Sequence, residues 1–517
     1  MSQDFAKPII ESRFIGLNDS DPAHLLRSGM FQKVENAVVS DNAIEKVTGS
    51  TAVADSIAAK AFNGLASYEK ISASSKYLIA SINGASNAQL YQWTGSGNFS
   101  AIGSANLTNS SRVMFETANE YLFGFNGDEV VDYDGTTVTK NRANVPLGYY
   151  PAWFHNYLFI GKTDTFPSRL FWSALGDPTT FAGTDLVDMN PGDSDEIMGL
   201  GKLQDELFVF KRNTIWSITG WSGATFDATT IATQNTNARL VGYGCVAPES
   251  IVSIGNDIYF LSFLGKNPVI RSLRKTQYAT TLGGGIVSKQ IEGTMATINK
   301  AQLGIVAGIF DGRFVYWAIP TGSSTVNNYI LVLDTWSTRT IDGETVYAWS
   351  TMNGKNASHF AISTISGSAI PYFTDSGTKG EVYKFDSSLY SDDGTAIVMD
   401  VRTRDYMLDP TRDTKWKYLY LKFDSGSAGT CDIKARIDQA VDFETQENMS
   451  LAGNSPGLDS FILNTSVLGG AQTSSERIIF QHLTGKMLGL QFYEDSANAC
   501  KLYDYEIYGI ARGLRDA

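Results

Sequence analysis

The stretch SIVSIGNDIYFLSFLGKNPVIRSL, residues 250–273, decides the fold class. SIVSIGND ends in Gly-Asn-Asp, a turn signal. DIYFLSF then runs apolar at neighbouring positions, and a Gly-Lys-Asn-Pro break leads into VIRSL. Short apolar runs bounded by turn residues read as consecutive antiparallel strands. DIYFLSF does not alternate apolar with polar, so both of its faces are predicted to be buried.

The same phrase recurs along the chain. KYLIAS is followed by QLYQW, EYLFGF by VVDYD, NYLFIG by RLFWS, ELFVF by TIWSIT, RFVYWAI by YILVLD, and PYFTD by EVYKFD. Equivalent positions are Tyr77, Tyr121, Tyr157, Leu207, Ile258, Phe314 and Tyr372, spaced 36 to 58 residues apart. A further strand precedes most pairs, as in SRVMFETAN from Ser111, PAWFHN from Pro151, EIMGLGKLQD from Glu196 and GIVAGIFDG from Gly304. Units of this length built from antiparallel strands mark a β-propeller, in which each blade is sandwiched between two others. A two-sheet sandwich would leave one face of each strand wet and alternating.

After about Ser391 the rhythm changes. In KYLYLKF, Tyr418, Tyr420 and Lys422 share one face while Leu419, Leu421 and Phe423 share the other, the pattern of a half-exposed antiparallel sheet. NMSLAGNSPGLDS, from Asn448, reads as a long loop within it. The fold expected is all-β: a six- or seven-bladed β-propeller over residues 51–390, followed by a C-terminal β-sandwich over 391–517.

Composition bounds the function. Of 517 residues, 43% are hydrophobic and 12% aromatic, enough for a large core. The net charge of −13 is dispersed, so no basic nucleic-acid groove is predicted. Cys245, Cys431 and Cys500 are widely separated and odd in number, which gives neither a disulfide framework nor metal-ligand spacing. The start MSQDFAKPII lacks a basic segment followed by an apolar one, so no signal peptide is read, and no run reaches the length of a membrane span. Folding in a cytoplasm is expected.

Little in the sequence carries catalytic chemistry. His24, His155, His359 and His482 form no zinc-binding pair and read as surface or packing residues. Neither a G-x-S-x-G elbow nor a phosphate-binding P-loop occurs. Asp193, Asp195 and Glu196 in PGDSDEI, and Asp132 and Asp134 in DYDGTT, are the paired carboxylates a glycosidase would need, or a Ca²⁺ site. Their place at Gly-containing turns makes a backbone role the first reading. Trp93, Trp172, Trp216 and Trp317 fall inside repeat strands and read as core, whereas Trp221, in TGWSGATFD, is the best loop candidate for stacking on a glycan. No catalytic residue, metal ligand or cofactor is assigned.

Residues 16–49, GLNDSDPAHLLRSGMFQKVENAVVSDNAIEKVTG, resemble the opening of bacteriophage tail β-propeller proteins: Gly16, Leu17, Asn18, Pro22, Leu25, Gly29, Glu35, Asn36 and Gly49 match, while Lys46, Val47 and Thr48 stand where Lys-Arg-Pro is usual. RLFWSALGDPTTFAGTDLVDMNPGDSDEIMGL, from Arg169, and GYGCVAPESIVSIGNDIYFLS, from Gly242, are similar to further phrases of those proteins, in the same order. The resemblance implies a non-enzymatic virion component, part of an oligomeric nozzle or tail hub below the portal. Its implied partners are further copies of itself, connector and tail proteins, and fibres or spikes, with DNA passing the lumen without specific binding. Residues 1–50 are then an arm that closes on the ring, NAVVS or AIEKVTG adding a strand to a blade. PAHLLRSG is expected to form a helical turn capped by Asp21, with Pro22 in its first position and Gly29 as its stop.

Overall fold

The computed structural model describes residues 8–40, 43–53, 57, 60–218, 221–222, 225–226, 240–279, 281, 283–377, 379–424, 428–452 and 473–511. Six four-stranded units, four of them separate sheets and two of them parts of larger sheets, form the blades of a β-propeller. The first contains Phe62–Lys70, Ser75–Ile82, Gln89–Trp93 and Ser100–Ala101, and the second Met114–Ala118, Tyr121–Phe125, Val130–Tyr133 and Val138–Lys140. The third runs from Gly148–Phe154 to Leu186–Asp188, and the fourth from Ile197–Leu203 to Leu240–Val241. A three-stranded sheet follows, Val252–Ser253, Ile258–Leu264 and Asn267–Ser272. Ala307–Phe310 to Glu344–Asn353, and Ala357–Ser363 to Val382–Asp386, make the last two blades. The innermost strands touch in succession, and Ala357–Ser363 packs back on Phe62–Lys70, so the six blades and the three-stranded sheet close one ring.

Burial follows the sequence pattern. Ile258, Tyr259, Phe260 and Leu261 are all buried, as are Leu207, Phe208, Val209 and Phe210. Phe208 and Phe210 of the fourth blade join Ile258 and Phe260 of the next sheet in one apolar cluster, with the rings of Phe210 and Phe260 5.0 Å apart. Each such side chain, fully buried, contributes roughly 1.5–3 kcal/mol. Neighbouring sheets thus hold each other by faces, and the outer strands stay short where they meet water.

The ring is closed by the N-terminal segment, at a different place from the one expected. Gly49–Ala52 pairs antiparallel with Val382–Asp386 and becomes the fourth strand of the last blade. NAVVS and AIEKVTG supply instead Ala37–Ser40 and Ala43–Lys46, which pair with each other; the second also pairs with the C-terminal strand Lys501–Ala511. The reason is visible in their burial: Val39 and Ile44 sit in the large core shared with Leu419, Phe492 and Ile507. Ala23–Leu25 forms a single 3-10 turn without the predicted cap; Pro22 occupies the capping position, and Asp21 accepts from the Asn18 amide.

The C-terminal region is two facing sheets. One carries Thr414–Asp424 between Lys501–Ala511 and Thr473–Ile479. The other runs through Met30–Glu35, Met399–Thr403, Leu488–Glu494, Thr430–Ile437 and Glu444–Ser450, and joins the fifth blade where Glu35 lies beside Thr351. Leu419, Leu421 and Phe423 point inward and Tyr420 outward, as the alternation predicts. Asn448–Ser450 ends a strand, and from Gly453 the predicted loop lies outside the described residues. Lys46 and Glu494, both without exposed side-chain surface, form an ion pair in this region, and Lys46 also donates to the Ser496 carbonyl.

Candidate functional site: the closed axis of the propeller

A propeller's natural site is its axis. Here the innermost strands surround a cavity of about 260 Å³, walled by Leu65, Phe115, Tyr150, Leu200, Ile251 and Phe360. Glu249 and His359 line it as well, and Arg112 binds both of them. Arg112 comes from the lead-in to the second blade, Glu249 from the 3-10 turn Pro248–Ser250, and His359 from Ala357–Ser363. Arg112 Nε donates to Glu249 Oε1 at 2.8 Å, and its terminal nitrogens reach the carbonyls of Ile305 (3.0 Å) and Ser358 (3.2 Å). His359 Nδ1 lies 3.2 Å from both Arg112 and Glu249 Oε2. One guanidinium therefore ties four parts of the ring across its centre.

The electrostatics suit a fixed clasp. Burial opposes ionisation of Glu249, but the Arg112 guanidinium and His359 outweigh it and hold the carboxyl down at about 2. Burial, reinforced by the Arg112 charge, pushes His359 below its ordinary value, so the ring stays uncharged near neutrality. Glu249 has no proton to give at neutral pH, and the group's geometry is that of a charge-assisted network.

The other carboxylates are likewise engaged. Asp193 takes the buried Lys211 ammonium at 2.8 and 3.0 Å, and Asp195 accepts from the Asn213 backbone (2.9 Å) and the Thr214 hydroxyl (2.8 Å). Glu196 bridges Lys162 (2.8 Å) and Arg212 (2.6 Å). Asp132 binds Arg142 through both oxygens, at 3.1 and 2.6 Å, and Asp134 accepts from the backbone of Thr136 and Thr137. Among the described residues, no three His, Cys, Asp or Glu side chains gather as a metal site.

The remaining histidines sit apart. His24 contacts Gln439, His155 lies 3.7 Å from Asp205, and His482 occupies an exposed turn. Cys431 and Cys500, remote in sequence, meet as free buried thiols in the sandwich, and Cys245 is buried in the ring. Trp93, Trp172, Trp216 and Trp317 are core residues. Trp221 pairs with Phe226 along a two-stranded ribbon, and its side chain lies outside the described residues. Arg112 and Glu249 carried no sequence signal, because they stand 137 residues apart in unrelated phrases.

Residues 82–306 match a family model described as Phage_stabilise: Bacteriophage P22 Gp10, beta-propeller. Over that span the propeller is similar to a phage protein family. The matched span runs from the first blade to the lead-in of Ala307–Phe310 and includes Arg112 and Glu249. The resemblance drawn from the motif order is thereby borne out. No curated protein matches the chain. Among solved structures, the Neurospora crassa Pan2 WD40 domain is 9% identical, covering 66% of this chain and 97% of that one at a TM-score of 0.37. The C-terminal WD40 domain of Sif2 is 12% identical, covering 74% and 99% at 0.37. Likeness at that level carries no argument; the similarity to a phage family rests on the match over residues 82–306. Among the described residues no helix is long and apolar enough to cross a membrane.

Proposed function

We propose that this chain is a structural component of a bacteriophage tail, located in the virion and assembled in the host cytoplasm. Several copies form a ring, the nozzle or hub below the portal, through which DNA passes and to which connector proteins, fibres or spikes attach. The observation that carries this reading is the match of residues 82–306 to a phage propeller family. Three features support it. Arg112, Glu249 and His359 tie three units of the ring together, which suits a rigid part with its DNA path between copies. The N-terminal strands are woven into both the last blade and the sandwich, which suits a rigid load-bearing part. The acidic surplus, net −13, suits a lumen that duplex DNA slides past, since binding needs cations to displace counterions.

The reading assigns no reaction to the chain: Asp193, Asp195, Glu196 and Asp132 serve as structural partners. Native mass spectrometry and negative-stain imaging of the purified chain test the assembly. Closed rings of one stoichiometry are expected, and monomers alone, with rings absent from virions, would contradict it.

A further inference from the structure

Between the last two blades and the sandwich lies a groove of about 620 Å³. Its apolar wall is Val38, Phe314, Tyr316, Met352 and Phe385, with Tyr316 and Phe385 stacked at 5.3 Å. Arg313 stands in its lining and connects it to Trp336.

Trp336 is 74% exposed, whereas every other tryptophan whose side chain is described is buried or half-buried. It is also held still. It lies on the hairpin Tyr329–Ile341/Glu344–Asn353, whose turn carries Asp342 and Gly343 at positive φ, the type that fits strand twist. Buried Asp334 accepts from the Trp336 backbone at 2.9 Å and from the Ser337 hydroxyl at 2.9 Å, and it takes Arg313 at 2.6 Å. The guanidinium lies 4.6 Å from the Phe314 ring centre and 5.4 Å from that of Trp336. Nothing in the core needs this indole; it is a rigid apolar plate presented to solvent.

The groove's charges say what it takes. Arg313 is matched by Asp334, Lys501 by Glu45 at 3.1 Å, and Lys46 by Glu494. Asp311 is occupied by the backbone of Arg313 and Phe314 and by the Tyr316 hydroxyl. Among the described residues of its lining, no unmatched cation offers itself to a phosphate, sulfate or carboxylate polymer. An aromatic plate beside a groove of neutralised polar groups and hydroxyls matches a ligand that is itself uncharged, with apolar ring faces and many hydroxyls.

We propose that Trp336 and this groove bind a neutral oligosaccharide, one pyranose ring stacking on the indole and the adjoining residues entering the groove. This goes beyond the tail-ring reading and does not depend on it, because the purified chain alone carries the site.

The test uses the full chain titrated by calorimetry and tryptophan fluorescence with maltohexaose, cellohexaose and a galactohexaose, and with a heparin hexasaccharide as the charged comparison. At least one neutral hexasaccharide binds with Kd below about 1 mM, and heparin does not. Trp336→Ala weakens that binding at least tenfold and Trp336→Tyr by less than threefold, with circular dichroism and the urea midpoint unchanged. Tyr278→Ala, removing a distant exposed aromatic, leaves it unaltered. Failure of all three neutral sugars, or equal binding by Trp336→Ala, overturns the proposal. So does a Trp336→Ala chain that loses oligomerisation while the parent binds no sugar, since Trp336 is then a protein-docking residue.

Discussion

Replacing Glu249 by Gln removes the negative charge from the axial clasp and keeps its shape. Glu249 has only 17% of its side chain exposed, and its carboxyl is held from an ordinary 4.5 to about 2. At 1.36 kcal/mol per pKa unit, that difference gives the ionised form about 3 kcal/mol of folding stability at pH 7. The sign follows from the depressed folded value. The contribution is complete above the unfolded pKa of 4.5 and is lost as pH falls toward 2. At pH 3 about 1 kcal/mol of it survives.

Urea unfolding of parent and Glu249→Gln, followed by tryptophan fluorescence, should therefore show a gap of about 3 kcal/mol at pH 7 shrinking to about 1 kcal/mol at pH 3. Taking the difference between the two proteins cancels the other carboxylates that protonate in the same range. His359 adds a further acid-sensitive contribution: its pKa is also depressed, so its part fades as pH falls below its ordinary 6.5. A gap under about 0.5 kcal/mol at pH 7, or one that does not change with pH, would refute the clasp.

Other positions give equally specific outcomes. Lys46→Met leaves Glu494 buried without its partner and should cost about 3–5 kcal/mol by urea unfolding, whereas Lys46→Met with Glu494→Leu should recover most of it. Gly49→Ala places a Cβ 2.0 Å from the Ser391 carbonyl oxygen, in the strand that closes the ring; a loss of about 2 kcal/mol or more and faster proteolysis near residue 49 are expected. Asp193→Asn strips the buried Lys211 ammonium of its counter-charge and should lower stability by about 3 kcal/mol without changing any polysaccharide-degrading assay.

How much of this was legible in the sequence depends on the range of the interaction. Blades are local: each is consecutive strands joined by short turns, so DIYFLSF and ELFVF announced both their strands and their double-sided burial. The KYLYLKF alternation gave the sandwich face for the same reason. Ring closure is not local. Gly49–Ala52 meets a partner more than 300 residues away, and no feature of GSTA distinguishes it from a loop, while NAVVS and AIEKVTG look more like strands and are strands, elsewhere. The clasp was invisible for a related reason. Arg112, Glu249 and His359 come from three separate units, and their meaning lies in the axis that only the closed ring creates. In PGDSDEI, Asp193 lies in the expected turn and accepts from the Asp195 backbone, but the cations that Asp193 and Glu196 meet, Lys211, Arg212 and Lys162, appear only once the strands are in register.

Quantitative mass spectrometry of purified virions, calibrated against a capsid protein of known copy number, reaches the central claim most directly. The account predicts this chain in every particle at one small fixed copy number, equal to the ring size found for the purified protein. Virions without the chain, or with an amount that varies between preparations, would contradict it.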